Sequence, residues 1–82
     1  MTADEREAAW GAVHDAIARM PGWAVGPCTH HAEVALWHVA AIDLRPRGRN
    51  AKREAILATG ATEIAALCAM VVLLGARRVN GR

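Results

Sequence analysis

The chain of 82 residues is long enough for one small domain, and a domain of this size buries only about 60% of the surface that its unfolded chain exposes. Its formal net charge of +2 is modest, and its two cysteines are too few for a disulfide framework. The beginning of the chain lacks a basic segment followed by an apolar run, which excludes a secretory signal and predicts a cytoplasmic protein.

The composition indicates helices rather than strands. Hydrophobic residues make up 54% of the chain, but only 4% are aromatic, so the apolar content is mostly Ala, Val, Leu and Ile. Alanine is the best helix former, and no run of four or more residues alternates cleanly between turn signals. We therefore predict an all-α fold, a single small three-helix domain over residues 1–82, with helices at about 3–20, 29–44 and 50–75.

The first predicted helix begins with a capping box. The Thr2 hydroxyl can accept a hydrogen bond from an early helical N–H, while the Glu5 carboxylate reaches back to the start of the helix. An apolar stripe with spacings of three and four follows, consisting of Trp10, Val13, Ile17 and Met20. Pro21-Gly22 ends this helix, because proline cannot continue it and glycine adopts the left-handed closing turn.

The second predicted helix follows a short connector, with Thr29 as its N-cap. The segment His30–Leu44 is apolar over more than half of a helical circumference, so we expect this helix to be central. It ends before Arg45-Pro46, because a residue that precedes proline is disfavoured in the helical region.

The third predicted helix begins at Asn50 and ends at Gly75. A glycine inside a helix costs about 1 kcal/mol relative to alanine, so the doubtful place is Thr59-Gly60, where Thr62 could cap a separate helix. The apolar spacing of three and four residues continues through the glycine, which favours one long helix.

The apolar C-terminal helix predicts self-association. Residues 64–74 contain no charge, and a helix that is apolar on every side must be covered on every side. Burial within a monomer is one alternative; a dimer or partner complex is the other, and we favour a homodimer. Its predicted interface consists of Leu57, Ala61, Ile64, Ala65, Leu67, Cys68, Val71 and Leu74.

The same segment leaves a membrane interpretation open. The 22 residues 55–76 contain Glu63 as their only charge, a length that could cross a bilayer. Glu63 and the high alanine content argue against a single-pass membrane protein, because a charge inside the bilayer costs about 2.5–3.5 kcal/mol.

A basic cluster lies between the second and third predicted helices. It could neutralise phosphates or contact an acidic protein surface, and a solvated loop is the simplest alternative. No aromatic residues alternate with the arginines to stack on bases, so we favour an acidic protein partner over nucleic acid. The predicted contact residues are Arg45, Arg47, Arg49, Lys52 and Arg53.

Residues for metal binding or catalysis do not form a complete set. Cys28, His30 and His31 are close in sequence, but no second pair of ligands completes a tetrahedral zinc site. Glu33, Asp43, Glu54 and Glu63 stand singly, and no E-x-x-E or E-x-x-D pair occurs on any predicted helix, which excludes a metal-phosphate centre. We predict no catalytic residues, no metal, no cofactor and no small-molecule substrate.

The sequence thus predicts a non-catalytic protein-protein interaction module. A homodimer would present the basic loop twice to an acidic surface. Small proteins of this build are often regulators or inhibitors of larger machines, including phage-type antagonists of host defence or nucleic-acid handling. The alternatives are a nucleic-acid-binding accessory protein and a single-pass membrane protein.

Overall fold

The computed structural model of the protein describes residues 2–45, 48 and 53–80, and it has an α+β fold. The chain forms α1 (Ala3–Ala18), β1 (Trp23–Val25), β2 (Thr29–His31), β3 (Leu36–Asp43), β4 (Ala55–Gly60) and α2 (Glu63–Asn80). The four strands form one antiparallel sheet, and the two helices pack together on one of its faces. The all-α prediction, with its three-helix bundle, is therefore wrong.

Helix α1 confirms the first prediction. The Thr2 hydroxyl accepts a hydrogen bond from the Glu5 N–H at 3.1 Å, so the predicted cap forms. The helix ends at Ala18, and Arg19 closes it with its N–H bonded to the Ala16 carbonyl. Gly22 follows with a φ of 84°, the left-handed conformation that favours glycine.

The segment predicted as the second helix forms β2, a turn and β3. Strand β3 is the centre of the sheet, with β4 paired along one side and β1 and β2 paired one after the other along its other side. The register shifts by one residue between β1 and β2, as in a β-bulge, and Pro27 lies in this interruption.

The third predicted helix, at about 50–75, is wrong at both ends: its first part is a strand, and the helix continues past Gly75, its predicted end, to Asn80. Ala55–Gly60 is strand β4, and the helix starts only after Thr62, whose hydroxyl accepts a hydrogen bond from the Ala65 N–H at 3.0 Å. The sequence indicates Thr59-Gly60 as the place where this helix could be interrupted but favours one continuous helix. The interruption is present, and the continuous helix is wrong. Among the described residues, no helix is long and apolar enough to cross a membrane, because the 22-residue apolar segment is divided between β4 and α2.

The hydrophobic core lies between the sheet and the two helices. Helix α2 packs mainly on β4 and less on β3, while α1 packs on α2 and on β1. The core consists of Val13, Met20, Val39, Ala41, Ala58, Ala66, Leu67, Met70 and Leu74. Alternate residues of β3 and β4 therefore point to the helices, and the residues between them point away.

Candidate interaction surfaces

The side of the sheet that faces away from the helices is not covered by any described residue, and we call it the outer sheet face. In an antiparallel sheet, paired residues point to the same side, so the register identifies its members. They are Ala24, Thr29, His31, Leu36, His38, Ala40, Ile42, Ala55, Leu57 and Thr59. None of them is Asp, Glu, Lys or Arg.

The outer sheet face is unusually apolar for a surface in contact with water. Leu57 is 61% exposed, Ile42 is 40% exposed and Leu36 is 38% exposed. An antiparallel sheet that is covered on one side usually carries polar residues on the other. Contiguous exposed apolar residues mark interaction surfaces more often than single ones do.

Imidazole rings occupy one end of this face. The rings of His31 and His38 lie with their centroids 4.2 Å apart, and the Thr29 hydroxyl forms a hydrogen bond with Nε2 of His38 at 2.6 Å. His30 points to the other side of the strand, where its ring contacts Trp37 at 5.1 Å. Successive side chains of β2 point to opposite faces of the sheet, so His30 and His31, which the sequence analysis considered together as metal ligands, lie on different faces.

The structure divides the residues of the predicted dimer interface among three environments. Leu67 and Leu74 are buried in the core of the protomer, so they contact α1 and the sheet. Leu57 lies on β4, on the outer sheet face. The remaining predicted members are exposed or half-buried and lie on α2 or just before it: Ala61, Ile64, Ala65, Cys68 and Val71. The prediction missed two exposed residues of the same helix, Val72 and Leu73.

The predicted basic cluster is only partly described. Arg45 forms an ion pair with buried Asp43, and the Arg53 guanidinium donates to the carbonyl oxygens of these same two residues at 3.2 and 3.4 Å. Arg47, Arg49 and Lys52 lie outside the described residues. Two of the five predicted contact residues, Arg45 and Arg53, therefore form hydrogen bonds to groups of their own chain, although both residues remain exposed to solvent.

Cys28 lies in an environment that disfavours its thiolate. Burial and the negative charge of Glu63 raise the pKa of the Cys28 thiol, while the positive charge of Arg6 opposes them. Arg6 donates from Nε to the buried Glu63 carboxylate at 2.8 Å. A raised pKa is the opposite of what a nucleophilic cysteine requires.

No potential metal centre occurs among the described residues, since no three His, Cys, Asp or Glu side chains come close enough to hold an ion. A small cavity of about 130 Å³ lies between the C-terminal parts of the two helices. Its lining is mostly apolar and consists of Ala16, Arg19, Val71, Leu74 and Gly75. The cavity holds at most one small apolar group.

Sequence reasoning missed the outer sheet face because both faces of β3 are largely apolar. The residues Leu36, His38, Ala40 and Ile42 alternate with core residues that are equally hydrophobic, so no alternation of polarity appears. The available signal was the absence of Asp, Glu, Lys and Arg between Glu33 and Asp43.

The fold and these surfaces define a two-layer α+β domain whose uncharged outer sheet face is left uncovered by the part of the chain that the structure describes. No family model matches the chain. Searches of characterised proteins and of solved structures also find no match.

Proposed function

We propose that the protein is a non-catalytic protein-protein interaction module that acts as a homodimer and binds a partner protein through its outer sheet face. The observation that carries this proposal is the apolar, uncharged character of a face that water would otherwise cover. A side chain such as Ile42 or Leu57 gains hydrophobic free energy only when another surface covers it.

The partner is proposed to be an amphipathic helix with acidic residues beside its apolar stripe. Its apolar side would lie along the strands, as helices do in hydrophobic grooves. The Arg45 guanidinium is bound to buried Asp43 on the helix-facing side of the sheet, so the cation offered to a partner is Arg53, which precedes β4 and donates to the Asp43 carbonyl at the end of β3. Acidic residues that flank the stripe complement this cation, and this is why a protein is favoured over an anionic polymer without apolar groups.

A homodimer would give the outer sheet face an area large enough for specific binding of a partner protein. Three rows of strand about 4.8 Å apart and about 27 Å long cover roughly 400 Å². A standard specific interface covers about 800 Å² on each partner. Two copies side by side would supply that area, whereas one copy would bind only weakly.

The experiment uses two synthetic helical peptides with the same leucine stripe, one with glutamates and one with lysines on the remaining positions. We expect the glutamate peptide to bind more tightly. In ¹H–¹⁵N spectra of the labelled protein, it should shift the amide signals of Leu36, Ala40, Ile42 and Leu57.

The substitution Ile42→Ser should weaken this binding roughly fivefold, because it removes part of the about 1.5–3 kcal/mol that burial of such a side chain supplies. Val72→Ser is the matched control, since Val72 is a more exposed aliphatic residue on α2. Equal loss with both variants, or shifts confined to α2, would contradict the proposal. Binding of random DNA that falls steeply with salt would support the nucleic-acid alternative.

A further inference from the structure

We infer that strand β4 and the flank of α2 beside it form the self-association surface, so that two copies join their sheets edge to edge about a twofold axis. This inference deepens the proposed function, because it specifies how the proposed homodimer is built. The occupant of the surface is a second copy of the chain.

The edge formed by β4 lacks the features that protect strand edges. Ala55–Gly60 contains no charged residue and no proline, and within the described residues β4 pairs only with β3. The opposite edge of the sheet is protected, because it consists of two three-residue strands separated by a bulge at Pro27. Edges without charges, prolines or bulges are templates for pairing with another chain.

The flank of α2 above this edge is uncharged and built mostly of small residues. Val71, Leu74 and Gly75 line the cavity shared with α1, so they define the side of α2 that faces α1. At 100° per residue, the opposite side, toward the edge of the sheet, carries Ala65, Ala69, Leu73 and Ala76. Leu73 is exposed, and the alanines permit a second helix to approach closely.

The two layers can pair at the same time. Adjacent strands lie about 4.8 Å apart, and the twofold axis would lie half of this spacing beyond β4. A helix placed over the middle of the β3–β4 pair is therefore about 5 Å from the axis, measured parallel to the sheet. The axes of the two copies of α2 would then be about 10 Å apart, which is a normal distance for packed helices. Edge pairing therefore brings the two α2 flanks into contact without a rearrangement of either layer.

The twofold axis also restricts the register. Residues opposite each other in an antiparallel pair point to the same face of the sheet. Each odd-numbered residue of β4 must therefore pair with an odd-numbered residue of the second copy, and each even-numbered residue with an even-numbered one. Only registers centred on Leu57 or on Ala58 pair five residues. The register centred on Leu57 places this exposed side chain against Leu57 of the second copy, so it covers apolar surface that the protomer leaves exposed. The register centred on Ala58 gains less, because Ala58 is already buried in the protomer.

No like charges meet in this register. Glu54 falls opposite Gly60 of the second copy, and Arg53 falls opposite Ala61. The two outer sheet faces become one continuous apolar surface of roughly 800 Å², which is the size of a standard binding surface.

The first test is a disulfide cross-link in a Cys28→Ser, Cys68→Ser background. Directly paired residues have Cα atoms about 4.5–5.5 Å apart, within the range that a disulfide spans. Leu57→Cys should therefore form an intermolecular disulfide under mild oxidation. Val34→Cys, at a similarly exposed position in the turn between β2 and β3, on the side of β3 opposite β4, should remain largely reduced.

The second test is sedimentation of the intact chain from micromolar to millimolar concentration. We expect a species of about twice the 8.7 kDa protomer mass, shifted to monomer by Leu57→Lys or Leu73→Lys but not by Val34→Lys. Monomer at all concentrations, or equal effects of Leu73→Lys and Val34→Lys, would overturn the inference. The Leu73→Lys variant should still bind the glutamate peptide weakly at its outer sheet face, so loss of the dimer and loss of the proposed binding activity are separable.

Discussion

The carboxylate of Asp43 is completely buried, and the guanidinium of Arg45 binds it through two hydrogen bonds, from Nε to Oδ1 at 2.9 Å and from Nη2 to Oδ2 at 2.7 Å. The Arg45 N–H also donates to Oδ1, so the pair closes the end of β3. This carboxylate raises the pKa of Arg45. The side chain of Arg45 lies directly over Gly22, where a Cβ atom would collide with it.

We predict that Arg45→Met destabilises the protein, because it removes both side-chain hydrogen bonds from a carboxylate that is shielded from water. The midpoint of urea unfolding measures the effect. The same substitution in an Asp43→Asn background should have a smaller effect, since less negative charge remains to be compensated. Equal effects in both backgrounds would show that the ion pair does not contribute.

Gly60 and Gly75 should respond in opposite ways to substitution by alanine. A Cβ atom on Gly60 would lie 2.5 Å from the Ala66 nitrogen and 2.7 Å from the Ala65 carbonyl carbon, so the strand and the helix would have to separate. We expect Gly60→Ala to cost about 1–3 kcal/mol. Gly75→Ala meets no atom within 4 Å and should stabilise α2 by about 0.5–1 kcal/mol. Chemical denaturation of both variants checks this difference in sign.

Leu67 and Val72 separate core packing from surface exposure on the same helix. Leu67 is fully buried, whereas Val72 is 70% exposed. Leu67→Ala should lower the free energy of unfolding by about 2–5 kcal/mol, and Val72→Ala should change it by less than about 0.5 kcal/mol. Measurement at low protein concentration keeps self-association out of the comparison. Similar losses for both variants would contradict the burial of Leu67 within the protomer.

Cys28 should react more slowly with alkylating reagents than exposed Cys68, because its raised pKa reduces the fraction of thiolate. Glu63→Gln should accelerate alkylation of Cys28 and Arg6→Met should slow it, in accordance with the charges that each removes. Mass spectrometry of the modified protein across a pH series measures both rates. A profile that neither substitution changes would show that these two charges do not influence the thiol.

The same raised pKa predicts how stability depends on pH at the alkaline end. The folded protein retains the Cys28 proton at a pH where the unfolded chain has begun to lose it. The free energy of unfolding should therefore fall as the pH rises past the pKa of the thiol in the unfolded chain. Cys28→Ser should reduce this alkaline dependence.

Local signals in the sequence determined helix α1 and its N-cap. The Thr2 hydroxyl and Glu5, followed by an apolar stripe and Pro21-Gly22, are sufficient to predict α1, because a helix depends on contacts between residues three or four apart. Thr62 as a cap was only the alternative to one continuous helix from Asn50, which the apolar spacing favoured. Leu67 and Leu74 were predicted as dimer contacts, and only the structure places them in the core of the protomer.

Only the tertiary structure decided that residues 36–43 and 55–60 are strands. Their apolar residues fall at spacings that fit a helix, and their alternation is hidden because the outer sheet face is almost as hydrophobic as the core. Strand β2 reaches β3 through a turn of four residues, but the pairing of β3 with β1 and β4 joins segments that are farther apart in sequence, so no local pattern records it. The outer sheet face, the edge of β4 and the ion pair between Asp43 and Arg45 all depend on that pairing.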